Sequence, residues 1–114
     1  MTFKLIYPSG YIIEDVLNDN IDINIVTEDD NVFFGTLFTQ LNIDYLMLKD
    51  SENYFWATDM LIIRDLKKTT IINVIEKIIA EGYLEQIFTK IGSIREVYRG
   101  QYSSFIEIES LDII

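Results

Sequence analysis

The order of apolar and polar residues predicts a sheet in the first half of the chain. Residues 21–25 alternate between isoleucine and a polar residue, and this period of two is typical of a half-buried strand with its isoleucines inward. Polar residues 28–31 predict a turn, and the aromatic and β-branched residues 32–39 predict the returning strand. Residues 54–64 predict a further strand, whose apolar run 60–63 indicates a central position covered on both faces.

Two helical patterns follow in the second half. The first is one apolar stripe at helical spacing, formed by Ile71, Val74, Ile75, Ile78 and Ile79. Gly82 is placed to end this helix, because glycine readily adopts the left-handed conformation found after many helix ends. The second pattern runs through Leu84, Ile87, Phe88 and Ile91, and Gly92 can stop it. We therefore expect a helical pair.

Two segments leave alternatives open. The turn signal at residues 8–10 separates the apolar runs 3–7 and 11–17, which predicts an opening hairpin, with a short helix as the alternative for the second run. In the segment 39–48, Thr39 can cap a short helix. That helix presents Leu41, Tyr45 and Leu48 on one face, and extended chain is the alternative.

The end of the chain predicts a last hairpin. Residues 94–98 and 105–109 are its strands and residues 99–102 its turn, with alternation that makes one face of the final strand polar. Strands grouped on either side of a helical pair are typical of the α+β class. We expect a single domain over residues 1–114, with an antiparallel or mixed sheet and the helical pair packed on one face.

Charge separates the two halves and favours some partners over others. The net charge is −10, and residues 1–60 hold eleven acids against two lysines, a net −9. Binding to nucleic acid or to an anionic membrane surface requires clustered lysine and arginine, so neither is expected. A basic protein partner fits this charge, because complementary fields speed encounter and help to select partners. The predicted contact residues are Glu14, Asp15, Asp19, Asp22, Glu28, Asp29 and Asp30.

The side chains needed for common catalytic chemistry are absent. Without histidine and cysteine there is no Ser-His or Cys-His arrangement, no disulfide and no thiolate zinc site. The five glycines form neither a P-loop nor a dinucleotide-binding fingerprint. Asp59 is the most notable remaining carboxylate, since it interrupts an aromatic and apolar run, although a solvent-facing or turn-stabilising acid is the simpler interpretation. We expect a binding protein that is not an enzyme and needs no cofactor.

Ion sites are also not expected. The acids at 28–30 and the alternating Asn18, Asn20 and Asp22 lack the spacing of a calcium loop, and Ile23 stands where its glycine should be. The densest basic group is Arg64, Lys67 and Lys68, near a helix start where cations are mildly unfavourable and where Asp65 can offset them.

Three tracts resemble a group of small, acidic, uncharacterised bacterial proteins: residues 34–39, 54–60 and 81–88. That resemblance implies no activity. In size, charge and missing catalytic groups the chain is also similar, as a class, to immunity proteins of bacterial toxin systems. Residues 1–8 lack the apolar core of a signal peptide and no stretch approaches 18 apolar residues, so a cytoplasmic protein is expected. Our leading hypothesis is an immunity-type protein that neutralises a basic toxin domain; the alternative is a structural or regulatory subunit that homo-oligomerises.

Overall fold

Strands and helices are intermixed along residues 2–109, the part of the chain that the computed structural model describes. The strands are β1 (Phe3–Ile6), β2 (Asn20–Thr27), β3 (Asn31–Thr39), β4 (Met60–Ile63) and β5 (Thr89–Ser93). The helices are α1 (Gln40–Asp50), α2 (Lys68–Glu81), α3 (Leu84–Ile87), α4 (Ile94–Val97) and α5 (Phe105–Glu109). The predicted α+β class is confirmed.

The sheet is mixed because three strands pair with β3. Strand β2 runs antiparallel along one side of β3, from the pair Asn20 and Phe38 to the pair Val26 and Val32. On the other side, β5 pairs antiparallel with residues 31–34 and β4 pairs parallel with residues 36–39. Strand β1 extends the sheet beyond β2. The predicted strand, turn and returning strand at residues 21–39 are therefore confirmed.

One face of the sheet carries the main core. Ile23 and Ile25 are fully buried there, and the α2 residues Ile71 and Ile75 are fully buried in the same cluster. Burying each such side chain contributes about 1.5–3 kcal/mol. Helix α2 ends at the predicted glycine, because Gly82 has a φ of 81° and donates its N–H to the last turn. The short α3 adds a buried leucine to this cluster, so the predicted pair packs on this face.

The opposite face is covered over part of its area by the C-terminal helices. Val26 and Val32 are buried there with Ile94 and Ile108. Beneath α5, the ammonium of Lys4 donates a 2.6 Å hydrogen bond to the carbonyl of Phe105 and lies 3.7 Å from its ring centroid. Towards the start of β2, the same face carries more polar residues, and these belong to the candidate functional site.

The prediction of an opening hairpin is wrong. Strand β1 pairs with β2 instead of residues 11–17, which form neither strand nor helix. The reason is that Leu5 becomes almost fully buried beside Ile25 in the main core. The carbonyl of Val16 accepts a 2.8 Å hydrogen bond from the N–H of Leu66, so this connection packs against the chain after β4.

The strand predicted at residues 54–64 is shortened to β4, which lies at the edge of the sheet and not at its centre. Residue Asp59, with a φ of 54°, has a left-handed backbone conformation that a strand cannot continue through. Ile62 is 58% exposed, so the apolar run is not covered on both faces.

Two predictions near the C-terminus are also wrong. The second helical run stops at Ile87, because the next residues form β5 and pair with the first half of β3. The final hairpin is replaced by α4 and α5. At α4 the cause is local: the hydroxyl of Ser93 accepts from the N–H of Glu96, whose carboxylate accepts from the N–H of Ser93, forming a capping box.

Candidate functional site

An acid-lined recess lies where the connection after β1 passes the start of β2. Its volume is about 300 Å³, and it is open to solvent. The side chains and backbone that line it belong to Ser9, Tyr11, Asp19, Asn20, Ile21 and Asp22. We call this cavity the acidic recess. Two of the seven predicted contact residues, Asp19 and Asp22, therefore share one concave surface.

The carboxylates of the acidic recess are held by neutral donors. The Tyr11 hydroxyl donates a 2.6 Å hydrogen bond to Oδ2 of Asp19, and the N–H of Asn20 donates to Oδ1 at 2.9 Å. Across the β2–β3 pair, the hydroxyl of Thr36 donates to Asp22 at 2.7 Å. These hydrogen bonds fix the carboxylates without cancelling their charge.

The pKa of Tyr11 depends on the negative charge of the recess. Its hydrogen bond to Asp19 raises the pKa of Tyr11 to about 12, with smaller contributions from burial and from the charges of Asp19 and Glu14. Each of these effects disfavours the phenolate. The neutral tyrosine therefore supports the fold fully below pH 10, the ordinary value, and this support is lost as the pH rises towards 12.

We expect Asp19→Asn to lower the pKa of Tyr11 from about 12 towards the ordinary 10, because the charged acceptor is removed. The measurement is an alkaline titration of the Tyr11 ring carbon by NMR. Asp15→Asn is the matched control, since the Asp15 carboxylate lies in the same connection but accepts its hydrogen bond from the N–H of Leu17 and not from Tyr11. Equal shifts in both variants would show that net charge, and not the hydrogen bond, controls this tyrosine.

The seven predicted contact residues fall into two groups. Glu14 and Asp15 lie in the connection that leads to the acidic recess, and the N–H of Glu14 contacts Asp19 at 3.4 Å. The acids of the β2–β3 turn lie at the other end of β2, roughly 20 Å along the strand from Asp22.

The turn acids make contacts within the turn and with the chain that packs beside it. Glu28 accepts a 2.7 Å hydrogen bond from the N–H of Thr2, and Asp29 accepts from the hydroxyl of Thr27. Asp30 has a φ of 75°, and its carbonyl accepts from the N–H of Ile94. These three acids are at least partly exposed, so the turn is a second acidic surface separate from the recess.

The basic group at the start of α2 has a local counter-charge. Asp65 accepts a 2.9 Å hydrogen bond from the N–H of Lys67. The hydroxyl of Thr70 and this N–H hold the pKa of Asp65 below its usual range, with help from the charges of Lys67 and Arg64. Asp65 therefore places a negative charge beside this basic group.

Asp59 has a structural contact in the sheet. Its carboxylate accepts a 2.8 Å hydrogen bond from the hydroxyl of Thr89, and its carbonyl accepts a 3.0 Å bond from the N–H of Thr36. Asp59 precedes β4 and Thr89 begins β5, so the first bond joins the two strands that share one side of β3, and the second joins Asp59 to β3. Within residues 2–109, no three acidic side chains are grouped to hold a metal ion.

Helix α1 exposes the apolar residues that the sequence predicted on one of its faces. The predicted helix and its Thr39 cap are confirmed, with the hydroxyl accepting from the N–H of Asn42. The apolar residues at i, i+4 and i+7 nevertheless point outward, and two aromatic residues beyond the helix are exposed with them. The exposed fractions are 54% for Leu41, 50% for Tyr45, 81% for Leu48, 65% for Tyr54 and 71% for Trp56. We call the three exposed apolar residues of α1 the apolar patch; Tyr54 and Trp56 line a different surface with Leu46 and Met47.

Comparisons with protein families, with curated proteins and with solved structures found no match for this chain. The likeness of its three tracts to small acidic bacterial proteins stays a prediction. No helix in the described part of the chain is long and apolar enough to cross a membrane.

Proposed function

We propose that this chain is a protein-binding module, most concretely an immunity-type protein that neutralises a basic toxin domain by covering it. The observation that carries the proposal is the acidic recess, in which Asp19 and Asp22 line one cavity of about 300 Å³. Such a recess has the size and charge to receive a lysine or arginine side chain from a partner. Charge-assisted hydrogen bonds to a guanidinium or ammonium are about twice as strong as neutral ones.

The charge of the recess is available to a partner. The hydrogen bonds that Asp19 and Asp22 accept come from hydroxyl and backbone N–H groups. The first 60 residues hold eleven acids and only two lysines, so the surrounding field is negative as well. A field of this sign steers a basic protein towards the recess and repels an acidic one.

Homo-oligomerisation is the alternative, and the exposed apolar patch is the observation that favours it. Two copies would each bring a net charge of −10, which opposes association. Light scattering over a range of concentrations separates the two functions. A molar mass that rises with concentration supports the subunit, whereas a constant monomer supports the binding module.

The test begins with capture of a partner from an extract of the source cells by the immobilised chain, followed by binding measurements on the purified pair. We expect a basic partner whose association rate falls steeply with added salt. The double variant Asp19→Asn/Asp22→Asn should weaken binding about tenfold, equivalent to about 1.4 kcal/mol. Each substitution nearly keeps the side-chain shape, removes the charge and replaces one acceptor oxygen with an amide nitrogen.

The matched control is Glu76→Gln/Glu81→Gln, which removes the same charge from exposed positions on α2. We expect it to change binding no more than about twofold, since exposed charges beyond a Debye length of about 10 Å are screened. An acidic partner, salt-insensitive binding or equal losses in the two double variants would each contradict the proposal.

A further inference from the structure

We infer that a cavity between the β2–β3 turn and the end of α2 is a binding site for a small organic cation, an amine or guanidine carried on an apolar body. Its volume is about 480 Å³, larger than that of the acidic recess. One wall is formed by the turn and the strand residues beside it, and the other by the end of α2 and by α3. We call it the cation cavity. The inference goes beyond the proposed function, because it concerns a small molecule and none of the residues that line the acidic recess.

The deep part of the cation cavity is apolar. Phe33 of β3 and Leu84 of α3 line it and are buried, and the half-buried Ile79 of α2 lines it with them. Phe33 and Leu84 belong to the main core and Ile79 packs against it, so the fold holds this surface in place. A ligand whose apolar body covers these side chains gains about 25 cal/mol for each Å² removed from water.

Two carboxylates lie at the mouth of the cation cavity, one on each wall. Asp29 belongs to the turn and Glu85 to α3, and both are exposed. The buried hydroxyl of Thr27, which lines the same wall as Asp29, donates to Oδ1 of that residue and fixes its carboxylate at the rim. Asn31 and Gln86 add amide oxygens that accept hydrogen bonds. These acceptors suit a ligand group that is rich in N–H donors.

The charge of the cation cavity specifies the sign of the ligand. Within residues 2–109, its lining contains no lysine or arginine, so the two carboxylates are its charged side chains. The C-terminal end of α2 borders the cavity through Ile79 and Gly82, and such a helix end carries about half a negative charge. The last turn of α2 has no basic residue to offset it. A cation is therefore attracted from both walls, and an anion is repelled.

The volume and the division of the lining favour a small molecule. Sites for small molecules are mostly apolar concavities of about 300–1,000 Å³ with a few polar groups that fix the orientation of the ligand. The cation cavity has this volume, an apolar deep part and a polar mouth, whereas the acidic recess is lined mainly by polar residues. A protonated amine attached to a ring system matches both parts of the cation cavity.

Tryptamine is the probe, because it joins a protonated amine to an indole ring. Three matched compounds separate the contributions: tryptophol has a neutral hydroxyl in place of the amine, indolepropionate has a carboxylate, and ethylamine lacks the ring. Each compound is titrated into the full chain, and binding is followed by NMR at the backbone amides of Gly82 and Glu85. We expect tryptamine to shift these signals with saturation at millimolar concentrations, which is usual for a ligand of this size. The other three should bind at least about tenfold more weakly.

Two double variants locate the binding. Asp29→Asn/Glu85→Gln removes both charges from the mouth and should weaken tryptamine at least about tenfold, which corresponds to about 1.4 kcal/mol. The matched control is Asp44→Asn/Glu76→Gln, which removes the same charges from exposed positions on α1 and α2 and should change binding no more than about twofold. Equal binding of tryptamine and tryptophol to the wild type, or equal losses in the two variants, overturns the inference. Tryptamine shifts centred on the acidic recess also overturn it.

Acetylarginine amide tests the other source of the same chemistry, a side chain of a protein partner. We expect it to bind more weakly than tryptamine, because its alkyl chain covers less of the apolar surface. If it binds the same amides more tightly than tryptamine, the cation cavity belongs to a protein interface and the small-molecule inference falls. Asp19→Asn/Asp22→Asn should leave tryptamine binding within about twofold of wild type, so failure of the proposed function and failure of this inference are measured separately.

Discussion

Gly35→Ala is expected to lower the free energy of unfolding by about 3 kcal/mol, at the upper end of the usual range for overpacking a core. A Cβ atom at residue 35 would lie 2.0 Å from Cδ1 and 2.3 Å from Cε1 of the Phe88 ring. It would also lie 3.0 Å from the carbonyl oxygen of Asp59. Phe88 is 1% exposed and lies in the main core, so moving its ring would displace other buried side chains.

The backbone conformation does not explain this expected loss. The φ of Gly35 is not in the left-handed region, so alanine at an open strand position of this kind would be favourable by roughly 0.5–1 kcal/mol. Gly100→Ala is the opposite case and serves as the control, because Gly100 has a φ of 81° and open space around it. Its expected cost is about 1 kcal/mol from backbone strain alone.

Urea denaturation of four proteins tests the contact with Phe88: wild type, Gly35→Ala, Phe88→Leu and the double variant. Leucine lacks Cε1, and rotation about its χ2 can turn its Cδ methyl groups away from residue 35, so alanine at residue 35 should cost clearly less in the Phe88→Leu background than in the wild type. A cost of Gly35→Ala below about 1 kcal/mol in the wild type would mean that the sheet yields at this point and that the close packing is not rigid.

The elements that could be predicted from the sequence are those with a sustained period. In β2, alternate isoleucines fall on one face, and in α2 five apolar residues form one stripe that ends at Gly82. In both elements the same residues satisfy local conformation and burial, so the periodicity and the fold agree.

The other elements depend on contacts distant in sequence. The apolar run 60–63 is compatible with a central or an edge strand, and in the described part of the chain β4 is an edge because it pairs with β3 alone. Residues 88–93 continue a helical pattern, yet β3 offers an unpaired edge that the strand β5 occupies. Short apolar runs do not distinguish these outcomes, because strand and helix segments of this length look alike in composition.

Only part of the candidate site could be predicted, because the rest depends on contacts between residues distant in sequence. Charge counting identified Asp19 and Asp22, but the recess that joins them depends on Tyr11 and on an irregular connection that was predicted as a strand. The apolar stripe of α1 was predicted, but its exposure was not, because an i, i+4, i+7 stripe normally faces a core. The residue that determines which way the stripe faces is Asn42, whose hydrogen-bond partners Asn18 and Asn20 lie more than twenty residues earlier.

The second large effect is expected at the buried polar contact beneath the C-terminal helices. Nδ2 of Asn24 donates a 2.8 Å hydrogen bond to the hydroxyl of Tyr98, and the two residues are 4% and 9% exposed. Oδ1 of Asn24 is buried without a hydrogen-bond partner in the described part of the chain. Burial raises the pKa of Tyr98, so the hydroxyl stays protonated at neutral pH.

Tyr98→Phe is therefore expected to lower the free energy of unfolding by about 2 kcal/mol. The substitution keeps the ring in the cluster with Val26 and Ile94 but leaves the whole amide of Asn24 buried without a partner. The measurement is urea denaturation followed by far-ultraviolet circular dichroism. Tyr102→Phe is the matched control, because Tyr102 packs against the same cluster and its ring lies 5.7 Å from that of Tyr98.

Removing both polar partners should recover much of this loss. Asn24→Val in the Tyr98→Phe background replaces a buried amide with a β-branched side chain that suits a strand. We expect the double variant to unfold within about 1 kcal/mol of wild type, since deleting both members of a buried polar pair is often nearly neutral. Asn24→Val alone should be less stable than the double variant, because it leaves the hydroxyl of Tyr98 buried without its partner. If the two single losses simply add, the Asn24–Tyr98 bond is not what stabilises this cluster, and the cost of Tyr98→Phe must come from a change in packing.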